Sequence, residues 1–214
     1  MSVLVSALPD LTQGALITAE VTFEAILLAA AVALVLVAMR LSGFRALDVI
    51  ARAYIWFWRG VPLIIELYLI YFGLATANIL TLSPWVSAVL GLGLNTAAFF
   101  AEIMRAAILS IDKEQWEAGD MESRRAVTLA LVIFPQASAR MIPPLMNQII
   151  LSLKNSSLVA FVGVTELFLV GQNVISSTFQ DLPIYIGVAG GYLIMVTLLT
   201  FLGDYAERRL MVLA

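Results

Sequence analysis

Six polar side chains interrupt stretches that are otherwise apolar: Glu66, Asn95, Asn147, Gln148, Lys154 and Asn155. Their types suit binding rather than bond breaking. Amides and an ammonium hold a small polar solute by hydrogen bonds and charge, and a carboxylate holds a cation. The chain contains no cysteine and no histidine. That removes the thiol nucleophile, the thiolate metal site and the commonest general base. Hydrolytic or metal-dependent chemistry is not expected, and the chain is not read as an enzyme. Positions 147, 151 and 154 share one helical face, with 148, 152 and 155 beside it. Polar groups at membrane depth tend to face a protein interior or a watery cavity. The stripe therefore admits two readings, a substrate pathway wall or hydrogen bonding between helices. Asn95 stands one seven-residue repeat before Glu102 on the same face and is a further cavity candidate. Glu66 is costly at such depth, roughly 2.5–3.5 kcal/mol for an acidic residue at a helix centre. It needs a cation, and the two candidates are Lys154 and a cationic solute.

The second cluster of charge lies in a loop. Residues 112–136 carry Lys113, Arg124 and Arg125 among five acids: Asp112, Glu114, Glu117, Asp120 and Glu122. Apolar segments flank the loop on both sides, which holds it at a membrane surface. A helix–turn–helix lying along that surface is expected. Ser110 or Asp112 would cap its first part, with acids in the first turn, and Pro135 would stop its second. Trp116 and Ala118 offer a large and a small contact to a partner. The alternative is a solvated loop that only carries charge, although a loop this long in a compact domain is unusual and such loops are often functional.

These groups must be positioned by membrane helices. Hydrophobic residues make up 62% of 214 and charged residues 13%, against about half and a quarter in soluble domains. Five stretches reach the ~20 apolar residues needed to cross a bilayer: roughly 17–39, 55–79, 84–110, 142–170 and 183–204. Residues 1–214 read as a single all-α membrane domain without internal repeat. Pro62, Pro84, Pro143 and Pro144 read as helix starts. Tyr54, Trp56, Phe57 and Trp58 fit an interfacial aromatic belt. The N-terminal MSVLVSALPDLTQG lacks a basic n-region, so no cleaved signal peptide is expected. Arg40, Arg45, Arg52 and Arg59 lie between the first two segments, and Arg105, Lys113, Arg124, Arg125 and Arg140 lie in or beside the central loop. Arg208 and Arg209 follow the last segment, whereas the N-terminus and the loops near 76–83 and 171–182 hold no basic residue. The positive-inside rule then puts the N-terminus outside, and the central loop and C-terminus in the cytoplasm. Glu102 and Arg105, three apart, suit a local ion pair at the cytoplasmic edge.

In order along the chain stand several short motifs: Trp58-Arg59-Gly60-Val61-Pro62-Leu63, Leu69-Ile70-Tyr71-Phe72-Gly73, Asn95-Thr96-Ala97-Ala98-Phe99 and Ala101-Glu102-Ile103-Met104-Arg105. Then follow Gln115-Trp116-Glu117-Ala118-Gly119, Phe134-Pro135-Gln136, Leu153-Lys154-Asn155-Ser156-Ser157-Leu158 and Glu207-Arg208-Arg209-Leu210. The series resembles the permease subunits of binding-protein-dependent ABC importers, in their polar amino-acid uptake branch, over about residues 14–210. The resemblance implies the type I ABC importer fold in its short form, with five transmembrane helices. It implies a cytoplasmic coupling helix in the "EAA" loop at Gln115, Trp116, Glu117, Ala118 and Gly119. The implied partners are a second permease subunit, identical or paralogous, two ATPase subunits, a periplasmic or extracellular solute-binding protein, membrane lipid and an amino-acid substrate. The implied location is the bacterial cytoplasmic (inner) membrane. No nucleic-acid partner is expected. ATP and Mg would belong to the ATPase, because this chain has no G-x-x-x-x-G-K-[ST] phosphate loop. If Glu66 meets a cationic substrate, it would bias that substrate toward a basic amino acid. The loop departs from the family pattern at Gly119, where alanine is usual, and lacks the later glycine near Ser123. A glycine inside a helix costs about 1 kcal/mol relative to alanine. The competing reading, a stand-alone secondary transporter of small polar solutes, would be marked by inverted repeats.

Overall fold

The computed structural model of the chain describes residues 2–112, 114, 115, 127 and 132–211. Among them every regular element is helical. Helix α1 is Ser2–Leu41, α2 is Arg45–Gly60 and α3 is Leu63–Thr76, with a π-turn at Leu69–Gly73. Helix α4 is Pro84–Leu109, and α5 is Phe134–Asn155, continued by a 3₁₀ turn over Ser156–Val162. Helix α6 is Leu167–Thr178 and α7 is Asp181–Met211. Four of these runs are long and apolar enough to cross a membrane, and the bent pair α2–α3 makes a fifth where it is counted as one broken span.

Helix α4 is the hub, and each of its faces is dictated by residue size or polarity. Gly93, Ala97 and Ala101 recur every four residues, as do Ala25, Ala29 and Ala33 on α1. All six are buried. In lipid no hydrophobic force drives helices together, so small residues that let backbones approach carry the contact. A Cβ at Gly93 would lie 3.0 Å from the Ala25 carbonyl oxygen and 2.8 Å from Leu28. A second face turns Thr96 onto α5, where its hydroxyl is 2.8 Å from that of buried Ser152. A third face presents Asn95 to α2 and α3. Pro84 stands at the first position of α4, as expected from sequence, and Ser83 caps the helix by accepting from the Val86 N–H.

Several boundaries differ from the sequence-based expectation. The segment expected at 55–79 is two helices bent by 106°. Gly60, Val61 and Pro62 make the break, and Pro62 starts α3 from extended backbone. Helix α1 starts fifteen residues earlier than 17, since a helix tolerates Asp10, Thr12 and Gln13 in its first turns. Pro143 and Pro144 lie inside α5 instead of starting a helix. Membrane helices tolerate internal proline where neighbouring groups satisfy the freed carbonyls. Pro135 opens α5 and does not stop a preceding helix, because its missing N–H belongs to a first turn that has no intrahelical partner anyway.

Replacing Gly93 by leucine should destabilise the bundle by about 1–3 kcal/mol, the usual cost of overpacking. A lower thermal midpoint of the detergent-solubilised protein measures it. Replacing Gly60, whose Cβ position meets nothing within 4 Å, should leave that midpoint nearly unchanged.

Candidate functional site

The polar residues singled out from sequence separate into two groups. Glu66, Asn95 and Gln148 are buried within the chain, Asn155 is half-buried, and Asn147 and Lys154 are exposed. Glu66 is 1% exposed, and its Oε2 accepts a 2.9 Å hydrogen bond from the Asn95 side-chain amide. The same Asn95 nitrogen donates to the Trp58 carbonyl at 2.9 Å. Asn95 thus joins the last turn of α2 to the first turn of α3 across the bend. Tyr54 adds a second tie by donating to the Leu94 carbonyl at 2.8 Å. The Glu66–Lys154 ion pair considered from sequence is not formed. Glu66 has no ion pair among the described residues, and its Oε1 has no hydrogen-bond partner. The physical reason is helix facing: Lys154 points away from the body of the chain, whereas Glu66 points into it.

Asn147, Leu151 and Lys154 form an exposed row on α5, as their spacing predicts. Depth follows from the neighbour Ser152, paired with Thr96 at the middle of α4. Lys154 lies two residues beyond, about 3 Å along the axis. An ammonium is therefore held open near the centre of the bundle.

At one end of the bundle the charges interlock. The Arg40 side chain, 9% exposed at the end of α1, reaches Asp48 on α2 at 2.8 Å and Glu102 on α4 at 2.9 Å. Arg52 holds Asp48 at 2.7 Å, and Arg105 lies 3.5 Å from Glu102, the local pair expected from sequence. Next to this cluster, Arg140 on α5 donates to the carbonyl and hydroxyl of Ser110 at 2.6 and 3.0 Å. A cation at the C-terminus of α4 matches the exposed carbonyls there. Ser110 therefore closes α4 and does not start the next helix. Arg140 pins together the two ends of the 112–136 loop. Of the loop residues proposed to touch a partner, Gln115 is exposed in a helical turn whose N–H bonds the Asp112 carbonyl. Trp116, Glu117, Ala118 and Gly119 lie outside the described residues.

The opposite end holds a cluster that sequence reasoning missed. Glu166, 0% exposed, caps α6 by accepting from the Phe168 and Leu169 N–H groups, both at 2.9 Å. Tyr192 on α7 donates to the same carboxylate at 2.6 Å, and Thr18 on α1 lies 3.5 Å away. Its signal in sequence was a lone acid directly before an apolar helical run, the N-cap pattern. Beside it a groove of about 440 Å³ between α1 and α6 is lined by Asp10, Gln13, Thr165 and Asn173.

A helical bundle with polar residues open at mid-depth and charges gathered at one end fits a membrane transport component. Residues 25–212 match the family described as the binding-protein-dependent transport system inner membrane component, and the chain belongs to it. It is 37% identical to the glutamine transport system permease protein of Escherichia coli (strain K12), over 97% of this chain and 95% of that one. It is also 37% identical to the L-cystine transport system permease protein of Bacillus subtilis (strain 168), over 94% and 87%. A crystal structure of an amino acid ABC transporter with histidines superposes with a TM-score of 0.90 at 31% identity, covering 96% of each chain. The fold also matches an inward-facing MetNI methionine ABC transporter, TM-score 0.72 at 20% identity over 95% of each chain. The fold is that of type I ABC importer permeases.

Asn95→Ala should cost about 1–3 kcal/mol, because it strands the buried Glu66 carboxylate. Thermal unfolding in detergent reads this. Asn95→Ala with Glu66→Leu should recover part of the loss, since the stranded acceptor is gone.

Proposed function

We propose that this chain is the membrane-spanning subunit of an ATP-driven importer of polar or charged amino acids. It forms the translocation pathway with a second permease subunit, identical or paralogous. Residues 112–136 couple it to two separate ATPase subunits, which carry ATP and Mg. A periplasmic or extracellular binding protein delivers the solute. The observation that carries this reading is the near-full-length match to amino-acid permeases, combined with an uncovered Lys154 at mid-depth. An exposed ammonium in a membrane domain calls for a watery pathway or a polar neighbour. Asn147 and Lys154 face the pathway between the two permeases, and Lys154 attracts the carboxylate that every amino acid carries. Glu66, Asn95, Gln148 and Asn155 stand behind that wall, and Glu66 with Asn95 fixes the α2–α3 bend that shapes it.

Coupling in this scheme is mechanical. Gln115, Trp116, Glu117, Ala118 and Gly119 form the contact with the ATPase. The Arg140–Ser110 clamp makes the loop base rigid, so motion of the ATPase passes to α4 and α5 together. The N-terminus lies outside and the C-terminus in the cytoplasm, which the Arg40 cluster at the loop end of the bundle supports. The polar α1–α6 groove then faces the binding protein.

In proteoliposomes holding this chain, its partner subunits and loaded binding protein, deleting residues 113–123 should abolish stimulated ATP hydrolysis. Undiminished stimulation would overturn the coupling assignment. Lys154→Gln should lower amino-acid uptake at least about tenfold, the weight of one lost charge–carboxylate contact of roughly 1.5–3 kcal/mol, with subunit assembly intact. Unchanged uptake would remove Lys154 from the pathway.

A further inference from the structure

The far end of α2 lies deep in the bundle. Near its start, Asp48 shares Arg40 with Glu102 of α4. Further on, the Trp58 carbonyl accepts from Asn95 at 2.9 Å, and Asn95 stands at the middle of α4. From Glu102 back to Asn95 the rise along α4 is about 10 Å. Helix α2 therefore climbs from the charged end of the bundle to its centre, and Arg59 is carried there with it. Arg59 is exposed. Its guanidinium lies over the Phe99 ring, 5.3 Å from the centroid. The ring attracts the cation by its face and leaves the N–H groups unfilled. No acid among the described residues pairs with it: the ion pairs there join Arg40, Arg52 and Arg105 to Asp48 and Glu102. Glu66, the one acid of α3, is 1% exposed and turned onto Asn95. A guanidinium left open at mid-depth calls for water or a polar ligand.

The faces of α4 show where Arg59 opens. Phe99 lies about 40° around that helix from Asn95 and about 60° from Thr96. Asn95 faces the elbow of α2 and α3, and Thr96 faces α5. Phe99 thus points into the gap between the elbow and α5. Helix α7 covers another side of α5, where a Cβ at Gly203 would meet Met146 at 3.2 Å. Leu151, the centre of the exposed row on α5, lies about 140° from Met146, on the side that α7 leaves free. Helices α4 and α5 run antiparallel. Phe99 is three residues from Thr96 and Lys154 two from Ser152, so the two levels differ by only about 8 Å in depth.

We propose that Arg59 binds the carboxylate of the amino acid in transit, in the gap between the elbow and α5, a role that holds only if the chain is an amino-acid importer subunit. A guanidinium presents paired N–H donors that match the two oxygens of a carboxylate, which the Lys154 ammonium does not. Phe99 supports the fork, and the Asn95–Trp58 bond fixes its root. Every amino acid carries this carboxylate, so Arg59 governs retention of the solute rather than choice among side chains. Its place directly before Gly60, Val61 and Pro62 puts the solute in contact with the elbow itself.

The assembled transporter in proteoliposomes, with its binding protein and an equimolar mixture of the standard amino acids, tests this role, and mass spectrometry quantifies the solutes carried inside. The wild type should carry at least one of them. R59Q should lower that uptake at least about tenfold, the weight of one charge-assisted hydrogen bond, while stimulated ATP hydrolysis and subunit stoichiometry stay at the wild-type level. R59K keeps the charge without the fork and should fall between the two. Wild-type uptake by R59Q overturns the proposal and leaves the importer reading intact. Where R59Q loses a subunit, R59K decides: reduced uptake with intact assembly supports the role, and wild-type uptake or a lost subunit overturns it. A wild type that carries no amino acid overturns the importer reading itself, and the role of Arg59 falls with it.

Discussion

The seam between α1 and α4 is the constraint on which the remaining contacts rest. Inside a bilayer, apolar side chains gain little by leaving lipid for protein, so close packing must carry helix association. Glycine and alanine at every fourth position on both helices allow it. Once the two helices run side by side, the other faces of α4 are assigned. Thr96 meets Ser152, Asn95 meets the α2–α3 bend, and Glu102 at the far end meets Arg40 of α1. A larger residue at Gly93 would push α1 away from α4 and strain the Arg40–Glu102 pair that crosses the same seam.

The division of the polar residues follows from this arrangement. Asn95 is buried because the seam already occupies the adjacent face of α4, so its amide finds backbone and carboxylate partners rather than solute. Lys154 is open because Ser152, two residues away, takes the inward direction. Neighbouring positions on one helix thus serve opposite purposes. One set holds the helices in place, and the other is left open on the surface of the chain.

Much of the architecture was legible in the sequence, for reasons that can be located. Apolar run length gave the spans, Pro84 gave the start of α4, and Glu102–Arg105 gave a true ion pair. The ordered motifs gave the family. What could not be read required knowledge of facing. Arg45, Arg52 and Arg59 looked like loop charge because the apolar residues between them suggested that a span began only near 55. Glu66 and Lys154 looked complementary because linear distance says nothing about which way two helices turn. Glu166 was overlooked because an N-cap acid differs from any other acid only when the helix after it is known.

The bend between α2 and α3 connects these observations to transport. It is formed by Gly60, Val61 and Pro62, but these residues alone do not fix its angle, since Gly60 is free of neighbours and Pro62 constrains only its own φ and the extended backbone of Val61 before it. The angle is set from outside, by Asn95 and Tyr54 on one side and by the Arg40–Asp48 pair at the far end of α2. Both anchors belong to α1 and α4, the two helices of the seam. A movement that shifts α4 therefore cannot leave the elbow behind. Under the proposed coupling through the loop that follows α4, the elbow and the span beyond it must move with the loop or break the clasp at Asn95. The bond that joins them is short, buried and shared by two acceptors, so the physical expectation is that α2, α3 and α4 travel as one body.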